Sequence, residues 1–208
     1  MGIDPSFLGL LRLIIFWEGQ RQMENRFEKA TEALKSDHRV IERVLAVLER
    51  LTESRGEISI EVWSKAVDFI RNFADRCHHL KEEKVFFPAL ADHGVPLEGG
   101  PIGVMLMEHE EGRAYVRAMS EALALGEKDP DAAKKALVQN ARPYLRLLRE
   151  HIMKEDQILF QMAEEILTDE EQKKLLREFE EHEAEEFGAG VHERFLMIAE
   201  ELEKYRGR

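Results

Sequence analysis

Two ten-residue segments repeat one another in residue types suited to metal chemistry. The first is His78-His79-Leu80-Lys81-Glu82-Glu83-Lys84-Val85-Phe86-Phe87. The second is His151-Ile152-Met153-Lys154-Glu155-Asp156-Gln157-Ile158-Leu159-Phe160. Both read His-x-x-Lys-Glu-acid-x-aliphatic-apolar-Phe. In each, the His and the Glu lie four apart and share one face of a helix. A weaker echo precedes each segment: Asp37-His38 lies 40 positions ahead of His78, and Glu108-His109 lies 42 ahead of His151, counting from histidine to histidine. With these faces turned inward, the centre of the protein holds four imidazoles and two carboxylates. Carboxylates can bridge two cations, and neutral imidazole suits Fe, Zn, Cu or Ni. Helical proteins build dinuclear sites in bundle cores from such ligands.

A single His–Glu pair on a charged helix is usually a solvated ion pair. The repetition favours the interior, because the apolar residues and Phe that follow set each pair among neighbours where an unpaired polar group is costly. Register is the open point, since His79 and Glu83 are also four apart. Aligning Phe87 with Phe160 places Glu82 on Glu155 and selects His78. A shift of one residue turns a side chain by ~100° about an α-helix, so both pairs are not expected to face the same way. Tyr144, seven residues before His151, is either core packing or a hydrogen-bond donor near the ligand histidine. Cys77 is expected to pack as a small apolar residue. His182 and Glu186 form a third pair in an acid-rich stretch and read as a solvated face. His93 and His192 read as loop and surface residues.

Long amphipathic helices must carry these residues. Apolar positions Phe27, Leu34, Ile41, Val44, Leu45 and Leu48 recur at helical spacing from Asn25 to about Leu51, and Arg55-Gly56-Glu57 breaks the run. A second helix runs from Ser59 to about Leu90, with Pro88 expected to end or kink it. The stretch Asp92 to Pro101 is a loop by its turn residues. A third helix spans Ile102 to Leu125. Asp129 caps a fourth, which runs to about Leu167 with Pro143 inside it. Thr168 and Glu171 have capping-box spacing and start a C-terminal helix to about Tyr205, with a break at Gly188 or Gly190 allowed. The expected class is all-α. Four antiparallel helices over residues 23–167 form an up-down-up-down bundle, and residues 168–208 add a helix packed on it. Residues 1–22 form an apolar extension. Its run Phe7 to Trp17 is too short to span a bilayer and reads as an over-extended translation start or a packed arm.

Composition narrows the function. The 208 residues carry 42 acidic and 30 basic side chains, a net charge of −12, which disfavours sequence-independent nucleic-acid binding. One cysteine forms no intrachain disulfide and no thiolate cluster, so the cytoplasm is the default compartment. No Glu-x-x-His di-iron motif, no His-Glu-x-x-His zinc-protease motif and no glycine-rich phosphate loop occurs.

The repeated motif resembles the hemerythrin-like, or HHE cation-binding, domain family over about Glu28 to Ala163. That resemblance implies a four-helix bundle with a non-haem di-iron centre. Its metal ligands would be His38, His78, Glu82, His109, His151 and Glu155. The two irons would be bridged by oxo or hydroxo and by the glutamates, with other divalent metals admissible. Oxygen-carrying hemerythrins have two histidines four apart on the third helix. Here Arg113 stands at that offset from His109, and the last acid follows its histidine by four rather than five. The pattern is closer to relatives with four His and two Glu, some linked to nitric oxide response and iron–sulfur repair, although the cysteine-bearing N-terminal domain of those repair proteins is missing here. The lost histidine should free a coordination position on the second iron. The resemblance therefore implies binding of, or reaction with, O₂, NO or peroxide in a sensing, scavenging or redox role. The alternatives are iron storage or donation without turnover, and a purely structural helical protein. A redox partner is not indicated, and a homodimer is compatible with the sequence.

Overall fold

The structure, a computed structural model, describes residues 27–54, 59–126, 128–188 and 191–205. The expected extension at residues 1–22 and the break at Arg55-Gly56-Glu57 lie outside the described residues. Among those described there are helices and no strand. Helix α1 is Ala30–Glu53. Helix α2 (residues 60–92) joins α-helical Ile60–Phe69 and Phe87–Asp92 through two π-helical segments, Ile70–His79 and Glu82–Phe86. Helix α3 is Pro101–Leu125. Helix α4 (residues 130–166) is α-helical over Pro130–Lys154 and Phe160–Ile166, with π-helical Glu155–Leu159 between them. Helices α5, Asp169–Phe187, and α6, Val191–Glu203, follow among the described residues. No helix among the described residues is long and apolar enough to cross a membrane.

The local chemistry accounts for the boundaries. Asp129 caps α4 by accepting from the Ala132 N–H at 3.0 Å, with Pro130 at the first position where no N–H is needed. Thr168 and Glu171 form a reciprocal capping box at the start of α5. Gly188, at φ 81°, ends α5 in a conformation that favours glycine, so the C-terminal region is two helices. Pro88 does not end α2. It falls in the first turn after a π segment, where the hydrogen-bond ladder is already changing register, and the helix continues to Asp92. Helix α4 likewise runs through Pro143.

Helix α3 packs along α4, α4 along α1, and α1 and α3 against α2, while α5 and α6 cover α1 and α2. Cross-links give the relative directions. Thr31 reaches Glu164 (3.1 Å) and Glu49 reaches Arg149 (2.9 Å), so α1 and α4 run in opposite senses. Asp75–Arg113 (2.7 Å) and Glu83–His109 (2.7 Å) show the same for α2 and α3.

Among the described residues the core has two apolar parts. One contains Val44, Leu48, Trp63, Phe69, Phe73 and Phe195. The other contains Leu34, Phe86, Phe87, Leu90, Phe160 and Phe179. On each of α1 to α4 the chain passes from one part to the other through a short buried polar stretch, and those stretches form one slab across the interior.

Candidate metal centre

The slab is made of the residues the repeat singled out. Helix α1 supplies Asp37 and His38, α2 supplies His78, His79, Glu82 and Glu83, α3 supplies Glu108 and His109, and α4 supplies His151, Glu155 and Asp156. His38, His78, Glu82, His109, His151 and Glu155 are each 2% exposed or less. Their donor atoms converge in two groups of four, each with every ligand atom within 4.8 Å of the others. One is His38, His78, Glu82 and Glu155. The other is His79, Glu82, His109 and His151. Glu82 belongs to both.

π-helical turns produce this convergence. The Leu80 N–H bonds to the Asp75 carbonyl, Phe87 N–H to Glu82 and Phe160 N–H to Glu155, each reaching five residues back instead of four. Widening a turn reduces the rotation per residue. Cys77, His78 and His79 are therefore buried in succession, and Leu80 is only partly buried. This corrects the expectation that the two His–Glu registers exclude one another. His79 enters the second group, and Glu83 accepts from His109 Nδ1 at 2.7 Å. The His-His dipeptide was the signal for His79, but α-helical geometry argued against using both.

The donor atoms face one another. His38 Nε2 lies 2.9 Å from His78 Nε2 and 3.2 Å from Glu155 Oε2. His78 Nε2 lies 3.4 Å from Glu82 Oε1. In the other group, His109 Nε2 lies 3.2 Å from His151 Nε2 and 3.4 Å from Glu82 Oε2. His151 Nε2 lies 3.3 Å from Glu155 Oε2.

Each Nδ1 meets a carboxylate, and the pairing follows the repeat. Asp37, the acid before His38, faces His78 at 3.4 Å, and Glu108, the acid before His109, faces His151 at 3.0 Å. Glu83, after Glu82, faces His109, and Asp156, after Glu155, faces His38 at 2.8 Å. The lysine of each motif holds the acid of the neighbouring helix: Lys81 lies 3.1 Å from Asp37, and Lys154 pairs with Glu108. The phenylalanine stacks on the neighbouring helix's imidazole, Phe160 on His38 at 5.4 Å and Phe87 on His109 at 5.9 Å. The His, Lys, second-acid and Phe positions of the repeat thus make corresponding contacts in the two halves, whereas at the aliphatic position Val85 is buried and Ile158 exposed.

Burial and the neighbouring Glu155 charge push the Glu82 carboxyl well above the usual carboxylate range. Glu155 is held well below it, because His151 and His38 outweigh the effect of burial. Burial lowers His78 to about 3, leaving a neutral ligand-type imidazole. His151 is raised to about 9, as Glu155 and Glu108 outweigh burial. Both oxygens of Glu82 and of Glu155 are buried without a hydrogen-bond partner. Such oxygens are costly unless paired or coordinated to metal. The donor set therefore fits cations between the two carboxylates.

Other expectations meet different outcomes. Glu108, not Tyr144, faces His151 Nδ1. Tyr144 is buried in the core and lines a cavity of about 10 Å³ beside His109 and His151, with Arg113, Val116 and Leu148. His192 is not a surface residue: its side chain is 14% exposed, against the Phe73 ring and 3.8 Å from Asp37. His93 is partly exposed and pairs with Glu171 at 2.8 Å. Glu186 is exposed and pairs with Arg76. Cys77 is buried, with its thiol pushed up by burial. Lys81, 3% exposed, is also held by Glu183 of α5 at 2.9 Å. The C-terminal helices thereby touch the charges behind His78.

Comparison with known proteins decides the family. The family model for the hemerythrin HHE cation-binding domain matches residues 29–163. The chain belongs to the hemerythrin HHE cation-binding family. Its HHE region ends within α4, so α5 and α6 lie beyond it. Relatives of this HHE protein include uncharacterized proteins of Mycobacterium bovis and of two Mycobacterium tuberculosis strains. Each is 23% identical over 181 residues, which is 86% of this chain and 70% of the relative. No solved structure matches the chain.

Proposed function

We propose that this HHE protein is a non-haem di-iron protein that binds or reacts with O₂, NO or peroxide. Residues 23–167 form an up-down-up-down four-helix bundle around the centre, and residues 168–208 pack on it. The observation that carries the reading is the pair of four-donor groups sharing Glu82, whose buried carboxylate oxygens, like those of Glu155, make no hydrogen bond and face imidazole nitrogens. His38, His78, His109, His151, Glu82 and Glu155 would hold two irons. Bound there, iron supplies one-electron chemistry and open coordination positions for a small ligand.

The protein's own residues set the conditions. With metal bound, Asp156, Asp37, Glu83 and Glu108 would accept hydrogen bonds from the Nδ1–H groups and leave each Nε2 to the metal. The stacked Phe87 and Phe160 and the two apolar parts of the core keep bulk water away. The cavity of about 10 Å³ beside His109 and His151 is at the lower limit for a single water-sized molecule next to the centre. A cytoplasmic location belongs to the same reading and rests on the single, buried Cys77.

The test is metal analysis and optical spectroscopy of protein produced with iron. Near two irons per chain are expected, with visible absorption that changes on exposure to O₂ or NO. The Glu82→Ala, Glu155→Ala double variant should retain neither metal. Wild-type protein without bound metal would overturn the reading. Iron that leaves readily to a chelator, with no gas response, would point to storage or donation.

A further inference from the structure

We infer that His79 is a fifth imidazole ligand, which makes the two metal positions chemically unlike. The inference rests on the di-metal reading above and adds one residue to its donor set. His79 is 5% exposed, and neither ring nitrogen has a hydrogen-bond partner. Nδ1 has Asp75 at 3.5 Å, but nothing in the protein meets the buried Nε2, and an unmet buried acceptor is costly. Its ring stacks on His109 at 3.8 Å, and it shares the second donor group with Glu82, His109 and His151.

The surroundings of His79 match those of the other four. In every case Nδ1 faces a carboxylate: Asp156 for His38, Asp37 for His78, Glu83 for His109, Glu108 for His151, and Asp75 for His79 at 3.5 Å. Asp75 is itself held by Arg113 at 2.7 Å, as Lys81 holds Asp37. Arg113 also holds Glu83 behind His109. Arg113 therefore supports two imidazoles by way of their carboxylates, His109 on α3 and His79 on α2.

The backbone carries a matching asymmetry. In the repeat, the counterpart of His79 is Ile152, which is also buried. Both halves have a π turn after the glutamate, Glu82–Phe86 and Glu155–Leu159. Only α2 has a second π segment before it, Ile70–His79, whereas α4 is α-helical from Pro130 to Lys154. The additional π segment occurs in the half that has the additional histidine, and it brings that histidine inward. One metal position then has two imidazoles with both glutamates. The other has three imidazoles with Glu82.

The experiment is anaerobic Fe(II) titration of the full chain after metal removal, for the wild type and for His79→Ile, which installs the residue of the other half. The wild type should take two equivalents. His79→Ile should take one with wild-type affinity and the second at least ~10-fold more weakly, the size of effect seen when metal-site partners are removed. Both equivalents bound by His79→Ile with unchanged affinity would overturn the inference and leave the di-metal reading standing. A wild type that binds no iron would overturn the di-metal reading itself. Proton NMR of the wild-type di-ferrous protein needs no variant. Five contact-shifted, exchangeable imidazole N–H resonances are expected, and four would exclude His79.

Discussion

A buried imidazole presents Nε2 to a metal only when the proton on Nδ1 has an acceptor. Each centre-facing histidine of this protein has a carboxylate in that place, and the carboxylates come from helices that the repeat itself encodes. Removing that acceptor should therefore weaken metal binding without disturbing the fold. Asp156→Ala is the clearest case, since Asp156 is 37% exposed and alanine offers the His38 Nδ1–H no acceptor. We expect iron affinity to fall ~10- to 100-fold, measured by competition with a chromophoric chelator, with an unchanged far-UV circular dichroism spectrum. Because imidazole ligands bind metal in their deprotonated form, iron uptake by the metal-free protein should release protons and weaken as pH falls.

At the scale of the element, the π turns separate this fold from a regular bundle, and the C-terminal helices separate it from the matched domain. Lys81 of α2 is buried between Asp37 of α1 and Glu183 of α5. Lys81→Ala leaves two carboxylates facing each other without their cation and should destabilise the protein by ~3–5 kcal/mol in chemical denaturation. The start of α5 gives a smaller, local prediction. Thr168→Ala removes the cap hydrogen bonds and should cost ~1 kcal/mol. The Thr168 backbone bond and His93 lower the Glu171 carboxyl to about 2. A lowered carboxylate stabilises the fold above its ordinary pKa near 4.5, and this contribution fades as pH falls towards 2. The wild type should lose this contribution on acidification, and a Glu171→Gln variant should show a flatter stability–pH curve over that window.

At the scale of the whole molecule, the polar slab trades stability for binding. Two apolar cores are separated by buried groups, and Glu82 and Glu155 oppose each other there. Glu82→Gln removes that repulsion. It should raise the melting temperature of the metal-free protein while weakening iron uptake, and differential scanning calorimetry with and without Fe(II) separates the two effects. For the wild type, free metal at about 1,000 times Kd should add ~4 kcal/mol of stability. A variant with equal melting temperatures in chelator and in iron would not bind metal at the slab.

Spacing alone decided much of this. His–Glu pairs four apart, repeated with the same Lys, acid and Phe, put six residues on inward faces because helical periodicity is local. Asp129, Thr168 and Glu171 marked helix starts for the same reason, since caps depend on residues within one turn. The partners behind the histidines were not legible. Asp156 lies 118 residues from His38 and Glu108 lies 43 from His151, so their meeting depends on which helices pack and in which direction. His192 gave no local sign that α6 would fold back to carry it against Asp37. His79 is the sharpest case. The sequence shows it beside His78, and α-helical rotation sends it away. Only the tertiary structure brings it to the centre, because a π-helical turn, favoured where packing around buried donors outweighs regular backbone hydrogen bonding, alters the rotation that the sequence argument assumed.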